Sequence, residues 1–139
     1  MVIEWLTMSL EQLLHSRKKY AIKEFFTELV QAIEVFHAQD ILHRDLKPSN
    51  VMLKCKGGPL AEPLEVSPET YELKVIDYGM SREMAWEGRD MTNQVGSLHY
   101  RAPELLFGET RYTNKVDIWA LGCIFYFMQT GKALFRAHN

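Results

Sequence analysis

His43-Arg44-Asp45-Leu46-Lys47-Pro48-Ser49-Asn50 is the stretch that decides how this chain is read. It is a polar octet lying between two short apolar runs, Ile41–Leu42 and residues 51–53. The flanking runs have the length and composition of strands, and Pro48 breaks the polar segment between them, so the octet reads as a loop. Asn50 follows Asp45 by five positions, close enough for one loop to present a carboxylate and an amide to the same site. Lys47 adds a positive charge two residues after Asp45. Taken singly, Asp45 is also a turn-capping acid, Asn50 a turn residue and Lys47 a solvated charge.

Upstream, residues 19–38 form the clearest helix. Ile22, Phe25, Phe26, Leu29, Ile33 and Phe36 recur at spacings of three and four and make one apolar stripe, with Lys23, Glu24, Glu28 and Glu34 mainly on the other side. Ser9, with Gln12 three residues on, is a capping box opening a short helix whose apolar face is Leu10, Leu13 and Leu14. Residues 1–5 read as the end of a strand. Downstream, residues 56–70 hold three of the five prolines and read as a surface loop. Residues 72–76 alternate like a strand and run into Asp77-Tyr78-Gly79. Residues 80–100 are polar and irregular, a long loop of the kind that is usually functional or mobile. A second strong helix spans 114–130 and is closed by Gly131. Apolar residues cover nearly all its faces, which predicts burial on all sides. Asp117, in its first turn, suits the helix dipole but needs a partner. Long helices with short strands give an α+β fold.

With 139 residues, 47% of them apolar and 24% charged, the chain is one domain at most and large enough to bury a core. A net charge of -2 gives no electrostatic reason for nucleic-acid or membrane binding. Cys55 and Cys123 match no metal or redox spacing, and read as reduced thiols of a cytoplasmic or nuclear protein. The start carries Glu4 and no basic stretch, so it does not read as a signal peptide, and the apolar run 118–128 is too short to span a bilayer.

The octet is followed in order by Asp77-Tyr78-Gly79, by Tyr100-Arg101-Ala102-Pro103-Glu104 and by Asp117-Ile118-Trp119-Ala120-Leu121-Gly122. This succession resembles the catalytic loop, magnesium loop, activation-segment terminus and following helix of eukaryotic protein kinases. The resemblance implies the mostly helical large lobe of that fold, with short β-hairpins. Phosphoryl transfer asks mainly for positioning and charge neutralisation. Asp45 would orient the substrate hydroxyl and accept its proton, and Lys47 would sit near the transferred group. Asn50 and Asp77 would offer hard oxygen ligands to Mg²⁺ shared with the ATP phosphates. Ser97 stands where the family bridges the catalytic acid and lysine, which implies a serine or threonine substrate. His43 is a packing residue by the same resemblance. Tyr78 stands where the family usually has phenylalanine.

The resemblance also implies an adenine site. Ile3 would be the gatekeeper, Glu4 and Leu6 would meet the adenine edge, and Met52 would form the floor under the ring. Within the family the match is with the cyclin-dependent and MAP kinase group. Thr92 falls at the activating phosphothreonine, and Arg44 would hold its phosphate. Gln94 replaces the second MAP-kinase phosphosite, which leans the chain toward the cyclin-dependent type. Gly96 and Arg101 match positions shaping the pocket after the phosphoacceptor, an arrangement for proline-directed substrates, although His99 replaces a usual tryptophan. The partners implied are a protein substrate and a cyclin-like or other regulatory subunit.

The sequence holds no G-x-G-x-x-G loop, and the lysine and partner glutamate that grip the phosphates in the family are not found in it. Residues 1–139 therefore read as a partial kinase domain, from hinge to the helix after the activation segment and incomplete at both ends. Such a piece is expected to be poorly stable and inactive by itself. The interval between Asn50 and Asp77 is long for the family, and 56–70 reads as an insertion. Two other classes compete: a non-catalytic pseudokinase-like binding module, and a small-molecule phosphotransferase. The latter lacks the Ala102-Pro103-Glu104 terminus.

Overall fold

The computed structural model describes residues 6–16, 18–58, 61, 65–83, 91 and 96–136. In chain order the elements are β1 (Met8–Ser9), α1 (Leu10–His15), α2 (Ile22–His37), β2 (Ile41–Leu42), β3 (Val51–Cys55), β4 (Tyr71–Val75), β5 (Arg82–Glu83), α3 (Pro103–Leu106) and α4 (Lys115–Thr130). Single 3-10 turns occur at Pro48–Asn50, Tyr78–Met80 and Leu98–Tyr100.

α1 begins where its capping box places it. The Ser9 hydroxyl accepts from the Gln12 N–H at 3.1 Å, and the Gln12 side chain accepts from the Ser9 N–H at 2.8 Å. α2 buries Phe25, Leu29 and Ile33 from the expected stripe, each worth about 1.5–3 kcal/mol of transfer from water. It starts at Ile22, three residues later than the periodicity predicts. The reason is tertiary: Tyr20 forms a parallel bridge with Val66, and its hydroxyl donates to the Met128 carbonyl on α4.

β1, β3 and β4 form an antiparallel sheet in the order β1-β3-β4, with Met8 opposite Leu53 and Val51 opposite Val75. Along β3, Val51, Leu53 and Cys55 are buried, so Met52 and Lys54 occupy the face turned from the core. β2 and β5 pair separately, with Ile41 opposite Glu83 and Leu42 opposite Arg82. Part of the expected loop over 80–100 is thus strand and 3-10 turn.

One core joins α1, α2, β3 and α4. A smaller cluster joins Leu42, Met91, Ala102, Leu105, Tyr112 and Val116. Residues 56–70 do not behave wholly as a surface loop. Val66 is fully buried in the main core, Ser67 is 6% exposed and Ala61 packs against the same core, so apolar residues within the stretch anchor it. The expected burial of α4 on all sides is also corrected. Leu121, Ile124 and Met128 enter the core, but Ile118, Trp119 and Phe125 are 48%, 37% and 40% exposed. Among the described residues, Trp119 stacks only on Phe135, at a 5.5 Å centroid distance. No helix among the described residues is long and apolar enough to cross a membrane.

Candidate active site

The loop over 43–50 hangs between β2 and β3, and its frame is Asp117. That side chain is 1% exposed and accepts three hydrogen bonds. Oδ2 accepts from the His43 N–H at 2.9 Å and from His37 Nε2 at 2.8 Å, and Oδ1 accepts from the Arg44 N–H at 2.9 Å. The acid that needed a partner thus receives two from the loop backbone, which sequence spacing could not reveal. Arg44 takes a left-handed φ of 69°, unusual outside glycine and held here by that grip. His43 is fully buried: Nε2 donates to the Ile76 carbonyl at 3.1 Å, and Nδ1 accepts from the Asp45 N–H at 3.2 Å. It is the packing residue expected.

Asp45 is 8% exposed and stands at the centre of the side chains the sequence singled out. Its Oδ2 lies 3.3 Å from Lys47 Nζ and accepts from Asn50 Nδ2 at 3.3 Å. Its Oδ1 accepts from the Ser97 hydroxyl, also at 3.3 Å. Asn50 Nδ2 donates to the Asp45 carbonyl as well, at 2.9 Å. With its N–H groups turned inward, Asn50 keeps its amide oxygen for another ligand. Asp77 belongs to the neighbouring segment. The Ile76 N–H donates to the Asn50 carbonyl at 2.9 Å, extending the β3–β4 ladder by one step and setting Asp77 next to the Asn50 backbone. Asp77 is exposed, with φ 64°.

Gly96 and Arg101 come together as expected. Arg101 Nη2 donates to the Gly96 carbonyl at 2.7 Å. Gly96 has φ 78°, and a Cβ there would lie 2.9 Å from the Arg44 carbonyl, so both dihedral and space call for glycine. Arg44 Nη1 donates to the Tyr112 hydroxyl at 3.0 Å and Nε to the Met80 carbonyl, which uses two of its five donors. Sequence reasoning missed Tyr112 and Met91. Met91 is 4% exposed, packs in one cluster with Tyr112, and its N–H donates to the Thr110 carbonyl at 2.8 Å. Thr92 itself lies outside the described residues, as do Ile3 and Glu4. Leu6 is half-buried at the entry to β1, and Met52 half-buried on the non-core face of β3. Arg82 was also missed: its pairing with Leu42 sets a second guanidinium-bearing residue near the start of the loop. Burial pushes the Tyr100 phenol up to about 12, with smaller contributions from Glu11 and Cys123. Burial likewise raises the Tyr78 phenol, and Lys74 pulls it part-way back.

The protein kinase domain family model matches residues 1–139. The chain belongs to the protein kinase family. This kinase chain is 38% identical to a probable cell division protein kinase of Encephalitozoon cuniculi, over 99% of its own length and 40% of that relative. In structure it matches a chain of the yeast RNA polymerase II CTD kinase complex, with TM-score 0.83, 33% identity, and coverage of 98% of this chain and 41% of that one. It matches a chain of the Chaetomium thermophilum CAK complex bound to ATP-γ-S equally well, covering 40% of that chain. These likenesses fit the cyclin-dependent type rather than a small-molecule phosphotransferase. The kinase chain described here spans about 40% of the relatives it matches.

The donor set fits a magnesium ion shared with a nucleotide. Among the described residues no group of three or more His, Cys, Asp or Glu could hold a metal by itself. Asn50 and Asp77 would instead supply one neutral and one anionic oxygen, leaving the remaining ligands to phosphates and water.

Proposed function

We propose that this chain carries the phosphotransfer loops of an ATP-dependent serine/threonine protein kinase of cyclin-dependent type. One observation carries the reading: the Asp45 carboxylate is met by Lys47, Asn50 and Ser97, each at 3.3 Å. In this reading Asp45 aligns the acceptor hydroxyl and takes its proton as the hydroxyl attacks. Lys47, already paired with Asp45, compensates charge on the phosphoryl oxygens. Ser97 holds the other carboxylate oxygen and fixes the rotamer. Magnesium, held by Asn50 and Asp77, would neutralise the phosphates. Leu6 and Met52, with Ile3 and Glu4, would bound the adenine. A non-catalytic binding module would need none of this convergence.

Substrate choice follows from Gly96. Its carbonyl accepts from Arg101, so a substrate N–H arriving there competes with a guanidinium for it. Proline, which has no N–H, loses nothing at that place, which supports proline-directed specificity. Regulation follows from Arg44. Met91 and Gly96, on either side of 92–95, are each tied to elements that hold Arg44, so a phosphate on Thr92 would be delivered toward that guanidinium. Arg82 would add a second cation. A regulatory subunit is expected by analogy with the two solved complexes, and a cytoplasmic or nuclear setting from the reduced cysteines. The 139 residues hold no phosphate-covering glycine loop and are expected to be inactive alone.

The test is Asp45→Asn in the intact protein. Loss of the general base should lower phosphate transfer by about 10²–10⁴-fold, with fluorescent-nucleotide binding retained. Near-normal turnover in that variant would remove Asp45 from the chemistry.

A further inference from the structure

Asp77 has a left-handed backbone, φ 64°, a region that aspartate visits more readily than most residues with a Cβ and in which its surroundings can hold it. Its surroundings do so from both sides. Upstream, the Ile76 N–H is fixed on the Asn50 carbonyl at 2.9 Å. Downstream, the Met80 carbonyl is fixed by Arg44 Nε, and the Ser81 N–H donates to the Tyr78 carbonyl at 2.9 Å. The remaining restraint is a side chain. The Tyr78 hydroxyl donates to the Val75 carbonyl, reaching back over the turn and closing a loop of chain around Asp77.

The ring that carries this hydroxyl is itself held. It stacks on Phe36 of α2, with centroids 5.0 Å apart and planes 20° apart, and meets the His43 ring edge-on at 5.4 Å. Phenylalanine, the usual residue at this place, would keep both ring contacts and lose the hydrogen bond. The hydroxyl therefore adds something that ring packing does not supply.

We propose that Tyr78 is a positioning residue, whose hydroxyl clamps the turn at Asp77 and thereby sets how tightly the site takes Mg²⁺ together with a nucleotide. The proposal rests on the kinase reading of Asp77. A neutral hydrogen bond of this kind biases an open–closed equilibrium about 3- to 10-fold, small enough to leave the fold intact and large enough to measure.

The experiment compares the intact protein with Tyr78→Phe, using amide hydrogen exchange and Mg²⁺ titration of ATP binding. Exchange over 76–82 should quicken about 3- to 10-fold while α2 and α4 keep their protection. The half-saturating Mg²⁺ concentration should rise by a similar factor, and nucleotide affinity at saturating Mg²⁺ should change less. Unchanged exchange over 76–82 would show that the hydroxyl clamps nothing. Faster exchange with an unshifted Mg²⁺ titration would show a clamp that does not serve the metal, and would equally overturn the proposal. Failure of the kinase reading registers separately, as absent phosphate transfer in the unmutated protein, because both readouts here are binding and exchange.

Discussion

Replacing Asp117 tests the frame of the site most severely. Two effects compete for its role. As an acid in the first turn of α4 it interacts with the helix dipole, worth about 0.3–1 kcal/mol. As the acceptor for His43 N–H, Arg44 N–H and His37 Nε2, all at 2.8–2.9 Å, it satisfies groups that otherwise stay buried. In Asp117→Ala the two backbone donors lose a charged acceptor, at about 1–3 kcal/mol each. His37, whose side chain is 10% exposed, can turn to water at little cost. The sum is about 4 kcal/mol, in line with breaking a buried ionic pairing, and a large part of a typical total stability. Hydrogen bonding therefore outweighs the dipole several-fold. Asp117→Asn keeps one acceptor oxygen and turns an N–H₂ toward a donor, so it should cost about half as much. His37→Ala spares both backbone bonds and should cost about 1–2 kcal/mol. Urea unfolding of the intact protein, followed by circular dichroism and compared by midpoint at constant slope, gives the order Asp117→Ala, then Asp117→Asn, then His37→Ala. If Asp117→Ala loses less than about 1 kcal/mol, or His37→Ala loses as much, the frame is held by something else.

Gly96→Ala would place a Cβ 2.9 Å from the Arg44 carbonyl at φ 78°, so the segment must shift. Steady-state kinetics should show a raised KM for a proline-containing peptide with the KM for ATP little changed; an unaltered peptide KM would count against the pocket assigned to Gly96 and Arg101. For Tyr100 the folded-state phenol titrates at about 12, above its ordinary value of 10.0, so its contribution to stability is complete below pH 10 and is lost as pH rises toward 12. Denaturant midpoints should fall over that interval and fall less in Tyr100→Phe; parallel curves for the two proteins would exclude Tyr100 as the cause.

Local features were legible in the sequence and long-range ones were not. The Ser9–Gln12 capping box is a contact over three positions and forms as read. The α2 stripe is periodic and buries Phe25, Leu29 and Ile33. The start of α2 was misread because Tyr20 is recruited by Val66, a residue that no local pattern links to it. β2 and β5 are two residues each, and their stability comes from pairing with one another, so neither alternation nor composition announces that partnership. The candidate site was legible where chemistry demands a residue type: Lys47, Asn50 and Ser97 gather on Asp45, and Arg101 meets Gly96. Asp117 was visible as an acid in need of a partner. Its partners were not, because a backbone N–H has no letter in the sequence. Tyr112 and the Tyr78 hydroxyl were invisible for a related reason: each acts through a single bond to a group chosen by tertiary structure.

The positions of backbone strain argue that these long-range contacts are what the site requires. Among the described residues, the non-glycine positions with positive φ are Asp40, Arg44 and Asp77. Asp40 has a local explanation, since it ends the turn after α2, where its N–H donates to the His37 carbonyl, and aspartate tolerates the left-handed region there. Arg44 has none, and Asp77, though an aspartate, follows a strand and not a helix end. A left-handed non-glycine residue costs about 1–3 kcal/mol, and Arg44 directly precedes Asp45 in the loop. Arg44 is held by Asp117, Met80 and Tyr112; Asp77 is framed by the Ile76–Asn50 and Tyr78–Val75 bonds. Both turns, at Arg44–Asp45 and at Asp77, are thus held by contacts from elsewhere in the chain, and the buried aspartate and the tyrosine hydroxyl are the groups whose removal should release them.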